Sequence, residues 1–398
     1  MPSSGAAQRS AESDTVHGTI DTGYRVEWRP LVELAPWAAE WRDLAGRTLE
    51  PNVFYEPAFA LAAAPAFGSG AGAGLVWSRT TPPQLLGLFP ARIEQRRYGV
   101  ALSVLVGWTH PYGPLGSPLV DRDAADAVIA AWLNYVSSTP GLPKFLLMPY
   151  LPATGLLAEA FDSALQQTGG KANAFGRHQR ALLAPSGDRG GYLELAIGRR
   201  KRKDLRRQRK RLTDAGAVTS DSVQDPQAVP TALGHFLALE AGGWKGRAGT
   251  AAQADPAICN FLETAVTALA AEGKAQIDRL CVDGRPIAAS VTLKSAGTAW
   301  GWKTAYDESF ARYSPGAQIL LDLTQRLLDD PGIARADSCA AADHPMINHV
   351  WRERLPLCDR FMRVGPDGGL SFALVQGLET LRRAAIAGLR PLRGLRRG

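Results

Sequence analysis

Apolar residues recur along the chain in two stretches that predict the same order of secondary-structure elements. In the first stretch the pattern predicts a strand at 24–28, an amphipathic helix around 34–44, an apolar helix near 61, strands at 74–77 and 85–93, a helix at 122–138, a strand at 145–149 and a helix at 154–168. In the second stretch it predicts a basic helix at 199–214, a strand at 217–220, helices at 226–241 and 256–271, strands at 275–282, 286–294 and 299–305, a helix at 318–328 and strands at 334–339 and 361–364. This order predicts an α+β fold with a mixed α/β sheet, made of two tandem modules of similar plan.

Composition sets the expected boundaries of these modules. Residues 1–22 are rich in Ser, Ala and Gly, which predicts a disordered leader. The two modules then occupy 23–188 and 189–368, and a basic amphipathic tail follows at 369–398. A chain of 398 residues has room for two ordinary domains.

Positive charge is concentrated in one helix and in the tail. The net charge of the chain is +7. Residues 199–211 hold ten Lys or Arg against one Asp, and residues 371–398 hold six Arg against one Glu, so the rest of the chain is acidic. The basic helix has a narrow apolar seam at Leu205 and Leu212 and no aromatic residue on which a nucleic-acid base would stack. Three interpretations stay open: a solvated helix face, contact with a polyphosphate such as that of CoA, and binding of nucleic acid.

The tail predicts a second basic element. Residues 371–398 hold six Arg against one Glu. Apolar residues recur in the tail at spacings of three and four, at Leu374, Leu378, Leu381, Ala385 and Leu389. This pattern is typical of a basic amphipathic helix that lies on an anionic membrane or docks on a partner, and a disordered, solubilising tail is the alternative.

Motifs that the sequence lacks exclude several classes of protein. No apolar stretch reaches the roughly 20 residues that span a bilayer and no secretory signal is apparent, so we expect a soluble, cytoplasmic protein. The four cysteines are scattered and no histidine pair has metal-ligand spacing, so we expect neither a disulfide framework nor a metal site. Walker, dinucleotide-binding, nucleophile-elbow and zinc-protease motifs are absent, which argues against ATP hydrolysis, hydride transfer, triad hydrolysis and zinc chemistry.

The most informative segment is the loop Arg312–Gly316, between a predicted strand and a helix. Ser314 lies near the N-cap of that helix, and Gly316 supplies a flexible turn. The amides that follow, including those of Ala317 and Gln318, are expected to be unpaired donors. Such a helix start binds anions, and Arg312 adds a charge-assisted contact; an ordinary capped helix is the alternative.

Two further groups of residues are candidates for chemistry. The Gly-rich segment 239–250 contains Glu240 and also carries Trp244, Lys245 and Arg247 together, which no packing role requires. It suggests contact with substrate or an anion, with a flexible connector as the alternative. Near the ends of predicted strands lie Tyr306, Asp337 and His344. Carboxylates and phenols at such positions can serve as general base and general acid.

In combination these segments resemble one family. The run at 202–212, the segments 239–240, 243–246, 305–306 and 313–316, and Asp337 are similar to the CelD-like branch of the GNAT acyltransferase superfamily, which is related to the Fem-type double-GNAT enzymes. The similarity covers roughly residues 190–340 and is weaker from 25 to 185. It implies two GNAT-like modules that share a cleft, and transfer of an acyl group from a thioester, usually acyl-CoA or acetyl-CoA as co-substrate, to an amine.

The resemblance also implies a role for each group of residues. The donor would be held by Arg312, Ser314, Gly316, Ala317 and Gln318, although only Arg312 and Gly316 remain of the usual Arg/Gln-x-x-Gly-x-Gly/Ala pattern. Glu240 or Asp337 would deprotonate the amine, and Tyr306 would protonate the leaving thiolate. The acceptor would be bordered by Trp244, Lys245, Arg247, Lys303 and His344.

Three functions stay open at this point. We expect an acyl-CoA-dependent N-acyltransferase that acts on a small-molecule amine or on the amine of an envelope or polysaccharide precursor, because members of this branch are often named for cellulose or polysaccharide synthesis. A Fem-like aminoacyl transferase that uses aminoacyl-tRNA is the first alternative, and it is the one in which nucleic acid would be a partner. A non-catalytic scaffold of an envelope complex, docked on a membrane or a partner through the Arg-rich tail, is the second.

Overall fold

The computed structural model describes residues 23–365 and 371–394, so the predicted leader lies outside the described residues. Its strands are β1 (Tyr24–Pro30), β2 (Ala71–Ser78), β3 (Leu85–Glu94), β4 (Val104–Gly107), β5 (Leu119–Val120), β6 (Phe145–Pro152), β7 (Lys171–Leu183), β8 (Val218–Val223), β9 (Ala275–Val282), β10 (Arg285–Ser295), β11 (Thr298–Tyr306), β12 (Arg335–Asp337) and β13 (Glu353–Arg363). Its α-helices are α1 (Ala38–Gly46), α2 (Pro57–Phe67), α3 (Ala125–Ser138), α4 (Leu156–Gln167), α5 (Tyr192–Ala196), α6 (Arg199–Thr213), α7 (Val229–Gly242), α8 (Trp244–Arg247), α9 (Pro256–Ala271), α10 (Pro315–Asp329) and α11 (Phe372–Gly394).

All of these strands form one mixed sheet in which the same arrangement occurs twice. Twelve of them follow the order β1-β2-β3-β4-β6-β13-β7-β12-β11-β10-β9-β8, and β5 pairs beside β3. Strands β1 to β4 are antiparallel, and α3 then leads to β6, which is parallel to β4. Strands β8 to β11 repeat this plan, and α10 leads to β12, which is parallel to β11. The predicted mixed sheet with two tandem modules of similar plan is confirmed.

The two modules are interlocked at the middle of the sheet. β13, from the end of the second module, lies between β6 and β7 of the first module and is antiparallel to both. β7 in turn pairs with β12 of the second module. Each module therefore completes its sheet with backbone hydrogen bonds to the other, and the two share a continuous core that includes residues of α2, α7 and α9.

Several local predictions are confirmed in detail. α6 begins at the expected residue, and the buried residues of this helix are Leu205 and Leu212, the predicted seam. The Asp283–Gly284 pair forms the tight turn between β9 and β10. Both residues have positive φ, 50° and 77°, as a two-residue hairpin turn of this kind requires.

The tail forms the helix α11, so a disordered tail is excluded for residues 372–394. Val375 and Glu379 are buried against the body of the protein. In the described part of the chain, no helix has both the length and the apolar composition that crossing a bilayer would need.

Candidate active site

A β-bulge in β11 shapes the centre of the second module. Val291 of β10 pairs with Lys303 and Thr292 pairs with Gly301, so Trp302 is an extra residue on β11. A bulge of this kind breaks the alternation of side chains. The side chains of Trp302 and Lys303 consequently both reach Tyr112 of the first module: the Trp302 indole N–H donates to the Tyr112 carbonyl at 2.7 Å, and Lys303 Nζ lies 4.0 Å from the centre of its ring.

β11 and β12 separate soon after they begin. Their parallel pairing covers only Thr298, Ala299 and Trp300 of β11, although β11 continues to Tyr306. The second half of β11 thus has no strand beside it on that edge. The separation opens the sheet next to the beginning of α10.

A cavity of about 710 Å³ lies at this beginning of α10. It is bounded by the end of β11, by the starts of α6 and α10, and by the loop before β13. The side chains with polar or charged ends among its lining residues are Lys201, Tyr306, Ser314, His349 and Arg352. Its volume lies in the range of about 300–1,000 Å³ that is usual for small-molecule sites.

The starts of two 15-residue helices meet at this cavity. Gly198 precedes α6, and among the described residues the backbone amides of 199–201 have no backbone acceptor. Ser314 precedes α10 in the left-handed conformation, with φ of 53° and ψ of 51°. Both helix dipoles therefore direct their positive ends at the same space, which favours a negatively charged ligand.

The expected amide donors of α10 are only partly available. The amides of Ala317 and Gln318 both donate to the Ser314 carbonyl, at 3.0 Å each, so the prediction that they are unpaired is wrong. The reason is that Ser314 is the N-cap residue of α10, and the carbonyl of an N-cap residue accepts the first hydrogen bonds of the helix. Pro315 has no amide hydrogen. Among the described residues, the first turn then offers the amide of Gly316, and the Ser314 hydroxyl does not cap the helix.

Two of the predicted donor-binding side chains lie elsewhere. Gln318 is buried, and its amide nitrogen donates to the Leu205 carbonyl at 3.0 Å, which ties α6 to α10. Arg312 is exposed and stacks on the Tyr313 ring, with its guanidinium 4.7 Å from the ring centre. Neither side chain lines the cavity, whereas Ser314, Gly316 and Ala317 do.

Tyr306 lies between this cavity and a second, smaller one. Its ring packs on Gly316, where a Cβ would come within 3.2 Å of the ring and would have to displace it by a few tenths of an ångström. On its other side Tyr306 borders a space of about 40 Å³ that Glu240, Trp244 and Lys245 also line. The end of β11 thus joins the segment expected to bind donor to the loop expected to border the acceptor.

Glu240 is buried and both of its carboxylate oxygens accept hydrogen bonds. Oε1 accepts from Lys245 Nζ at 2.6 Å, and Oε2 accepts from the Ala252 amide at 2.9 Å. Burial raises the pKa of Glu240, but these two hydrogen bonds and the charges of Lys245 and Lys303 outweigh burial and hold the pKa below its usual value. Glu240 is therefore a carboxylate that stabilises nearby positive charge, and a weak base.

Lys303 is the most perturbed cation of this region. Burial, with a smaller contribution from the neighbouring charge of Lys245, lowers its pKa from 10.5 to about 8, although Glu240 acts in the opposite direction. A substantial fraction of Lys303 is therefore neutral slightly above pH 7. A lysine with such a pKa can exchange a proton with a substrate near physiological pH.

The predicted acceptor loop folds into the short helix α8. Glu308 ties it down, because one of its carboxylate oxygens accepts from the Trp244 amide at 2.8 Å and the other pairs with Arg247 at 2.6 Å. Trp244 itself is exposed. The loop is thus an ordered rim beside Tyr306, and a flexible connector is excluded.

Asp337 and His344 are not part of either cavity. Asp337 is buried and forms an ion pair of 2.9 Å with Arg180 of β7, while its second oxygen accepts from the Cys339 amide. It links the two modules, and with both oxygens engaged it is not available as a base. The Nδ1 atom of His344 accepts from the backbone amides of Met346 and Ile347, which fixes the loop that borders the large cavity.

The first module has only a very small space at the corresponding place. Between β4, β6 and α3 the cavity measures about 20 Å³ and is lined by apolar side chains that include Phe89, Trp132 and Met148. The cavity of about 710 Å³ and a neighbouring one of about 460 Å³ between α6 and α10 both belong to the second module. No group of three His, Cys, Asp or Glu side chains in the described residues could hold a metal ion.

Sequence patterns did not single out several residues that the structure brings to the site. Lys201 was one of ten basic residues in its helix, and only its position at the first turn distinguishes it. Arg352 and Tyr112 come from loops far away in the sequence. Glu308 lies two residues after Tyr306, at the end of β11. The two adjacent acids Asp307 and Glu308 at a strand end were the sequence feature that could have pointed to it.

Comparison with known proteins agrees with this description of the second module. Residues 199–344 match the family model of an acetyltransferase (GNAT) domain. The matched segment contains α6, the bulged strand β11, α10 and β12. The predicted GNAT-type acyltransferase domain is therefore confirmed for residues 199–344.

Solved structures resemble almost the whole chain in fold. FemX has 11% sequence identity and a TM-score of 0.55, and the match covers 83% of this chain and 96% of that chain. The C-terminal domain of a putative lysylphosphatidylglycerol synthetase from Agrobacterium fabrum has 12% identity and a TM-score of 0.54, covering 88% and 96%. A conserved protein of unknown function from Bacteroides thetaiotaomicron has 9% identity and a TM-score of 0.52, covering 85% and 98%. At these identities the similarity is one of fold, and no curated protein matches the sequence significantly.

Proposed function

We propose that this protein is an acyl-CoA-dependent N-acyltransferase, with acyl-CoA or acetyl-CoA as donor and the amine of a small molecule or glycan precursor as acceptor. The observation that carries the proposal is the cavity of about 710 Å³ that lies between two helix N-termini and ends at Tyr306. The finer assignments, to the CelD-like branch, to cellulose or envelope polysaccharide synthesis and to the cytoplasm, stay predictions.

The lining of the cavity suits a donor that carries phosphates. Two helix N-termini, Lys201 and Arg352 supply positive charge at one end. Leu205, Leu321, Met346 and Val350 supply apolar surface along its walls. The bound donor would provide the acyl group and a thiolate leaving group, and the residues of this chain would orient it and move protons.

The chemistry requires that an amine lose a proton and that a sulfur gain one. The amine nitrogen attacks the carbonyl carbon of the thioester, a C–N bond forms and the C–S bond breaks. Tyr306, at the junction of the two cavities, donates its phenolic proton to the sulfur. Lys303 lines neither cavity, so in its neutral form it accepts the proton of the amine through an intervening water. Its lowered pKa makes it a better candidate than Glu240, whose carboxylate is held ionised by hydrogen bonds.

The acceptor would approach from the side of α8. Trp244 offers an exposed aromatic face, and Lys245 and Arg247 border it. Lys245 forms an ion pair with Glu240, and Arg247 forms one with Glu308. These pairs keep the rim ordered before substrate binds. This arrangement suits an acceptor in which the amine is accompanied by a polar or anionic group.

A transferase that takes its acyl group from aminoacyl-tRNA is the second candidate. It is favoured by α6, whose exposed face carries Arg199, Arg200, Lys203, Arg206, Lys210 and Arg211 beside the entrance of the cavity. These side chains lie on a surface broad enough to meet the phosphates of a nucleic acid. Such binding would weaken steeply with salt, whereas binding inside the cavity would weaken less.

Thermal unfolding with candidate donors distinguishes these functions. The protein is heated alone and with CoA, acetyl-CoA, a long-chain acyl-CoA or tRNA, each at low and at moderate salt. A donor at 100 times its dissociation constant should add about 2.7 kcal/mol to the free energy of unfolding and raise the midpoint by a few degrees.

Matched variants show where the donor binds. Lys201→Ala should reduce the shift caused by acyl-CoA, and Lys210→Ala, with the same loss of charge on the same helix, should not. A salt-resistant shift with acyl-CoA that depends on Lys201 supports the proposal. A salt-sensitive shift with tRNA alone would favour the aminoacyl-tRNA donor, and no shift with any ligand would favour the non-catalytic scaffold.

A further inference from the structure

The first half of α11 is fixed to the body of the protein by one face. Val375 is buried in a cluster with Phe361 and other residues of β4, β6 and β13. Glu379 is fully buried and accepts hydrogen bonds from Arg97 at 3.0 Å and from Arg383 at 2.6 Å. These anchors are spaced four residues apart, so they lie along a single face of the helix.

A second face of α11 is apolar and has no partner among the described residues. Leu374 and Leu381 are 52% and 68% exposed. Leu374 and Leu381 are seven residues apart, with Leu378 between them, so they form a stripe along the helix. The stripe lies about a third of a turn away from the anchored face. The apolar pattern that marked this helix in the sequence is therefore mostly not used for packing within the chain.

The charges of α11 divide between these two faces. The single acid of residues 371–398 is Glu379, and it is buried against Arg97. Arg382 and Arg383 pair with Glu379, and Arg383 also pairs with Asp359 of β13. Residues 371–398 hold no further acid for the other four arginines of the segment. Arg382, whose side chain is 42% exposed, lies directly beside the stripe. An exposed apolar stripe with basic residues at its side is the combination that binds anionic lipid surfaces.

We propose that α11 binds the surface of an anionic membrane, with Leu374 and Leu381 in the headgroup region and with Arg382 and the positive charge that the tail sequence carries attracted to lipid phosphates. A second copy of this chain is a less suitable occupant, because pairing two such helices would bring six arginines of one tail against six of the other. This proposal does not depend on the donor or acceptor of the enzyme. It would bring the enzyme to the membrane surface through a peripheral helix.

Co-sedimentation of the full chain with lipid vesicles tests this proposal. Vesicles of phosphatidylcholine alone are compared with vesicles that contain about a third phosphatidylglycerol, at low and at moderate salt. We expect binding to the anionic vesicles that weakens with salt, and at least tenfold weaker binding to the neutral ones. No binding to anionic vesicles at low salt would overturn the proposal.

Paired variants identify the binding face. Leu374→Ser with Leu381→Ser should weaken binding about tenfold or more. The control, Val32→Ser with Leu156→Ser, removes two apolar residues of similar exposure, 62% and 67%, and should bind like the parent. Since all four residues are exposed, both variants should keep the parent's circular dichroism and unfolding midpoint.

The basic helix α6 is the main alternative source of vesicle binding. Arg206→Gln with Arg207→Gln on α6 should change binding less than twofold. Arg390→Gln with Arg393→Gln in the tail should weaken it at least tenfold, since each basic residue near an anionic surface contributes about fivefold. If the α6 variant loses binding and the tail variants keep it, the proposal is wrong. Dimerisation without vesicles that the Leu374 and Leu381 changes abolish would assign the stripe to a second copy instead.

Discussion

Replacing His110 by phenylalanine is expected to remove a large part of the instability that this protein develops in acid. His110 lies in the loop that carries Tyr112 against Lys303. Its ring stacks on Phe67, with 4.4 Å between ring centres and 11° between planes. Both ring nitrogens are buried, and neither has a hydrogen-bond partner in the described residues. These surroundings therefore stabilise the neutral imidazole of His110 and destabilise the protonated one.

Burial lowers the pKa of His110 from 6.5 to about 4. Above pH 6.5 the imidazole is neutral in both the folded and the unfolded chain, and its contribution to the free energy of unfolding is constant. As the pH falls below 6.5, the unfolded chain binds a proton that the folded protein accepts only near pH 4, so acid favours unfolding. At about pH 4.5 the resulting loss is about 2.5 kcal/mol relative to pH 7.5.

Urea unfolding followed by tryptophan fluorescence at these two pH values measures the effect. The loss of free energy of unfolding between pH 7.5 and pH 4.5 should be about 2.5 kcal/mol smaller in His110→Phe than in the parent. Carboxylates also titrate in this range, and a packing cost of the larger ring is present as well, but both cancel in the comparison. His178→Phe, at a half-exposed histidine of β7, should retain the pH dependence of the parent. An equal pH dependence in the parent and His110→Phe would refute the reasoning.

Three further predictions concern the module boundary and the proposed chemistry. Arg180→Leu should lower the free energy of unfolding by about 3 to 5 kcal/mol in a urea titration, because it leaves a buried carboxylate without its counter-ion. The control Arg207→Leu breaks an exposed ion pair with Asp204 and should lower the free energy of unfolding by less than about 1 kcal/mol. Equal losses in the two variants would contradict the burial of the Arg180–Asp337 pair. Tyr306→Phe should lower kcat about a hundredfold or more with the acceptor found by screening, whereas Tyr150→Phe, at the same 38% exposure, should not change it. In the parent, kcat should rise as the pH increases through about 8, because the neutral form of Lys303 is the proton acceptor. Lys303→Met should abolish this rise, and a kcat that does not change with pH in the parent would exclude this role.

Local features of the fold were accessible from the sequence because short-range contacts specify them. The Asp283–Gly284 turn needs two residues that tolerate positive φ, and that pair satisfies the requirement wherever it stands between strands. The seam of Leu205 and Leu212 is visible in the sequence because residues seven apart lie on the same face of a helix after two turns, and the residues between them are polar or charged. The loop before α10 was found for a similar reason, since Pro315 and its neighbours mark the start of a helix.

Elements that depend on distant partners were missed or only partly predicted. Most of β7 is partly or fully exposed, so its residues do not alternate between apolar and polar, and no strand was predicted there. β13 was predicted only at its end, residues 361–364. Both strands are held in the middle of the sheet by backbone hydrogen bonds on two sides, and such bonds leave little trace in the side-chain pattern.

The sequence by itself determined most of the order of elements, the two-module plan and the loop before α10, and it singled out Glu240 and Tyr306 without placing them together. Only the tertiary structure decided how these groups behave. It pairs Asp337 with Arg180, engages both oxygens of Glu240 and lowers the pKa of Lys303, because each of these effects arises from burial and from charges that lie far apart in the sequence. It also leaves the donor-sized cavity in the second module and exposes the apolar stripe of α11, since which face of an amphipathic helix is covered depends on what packs against it.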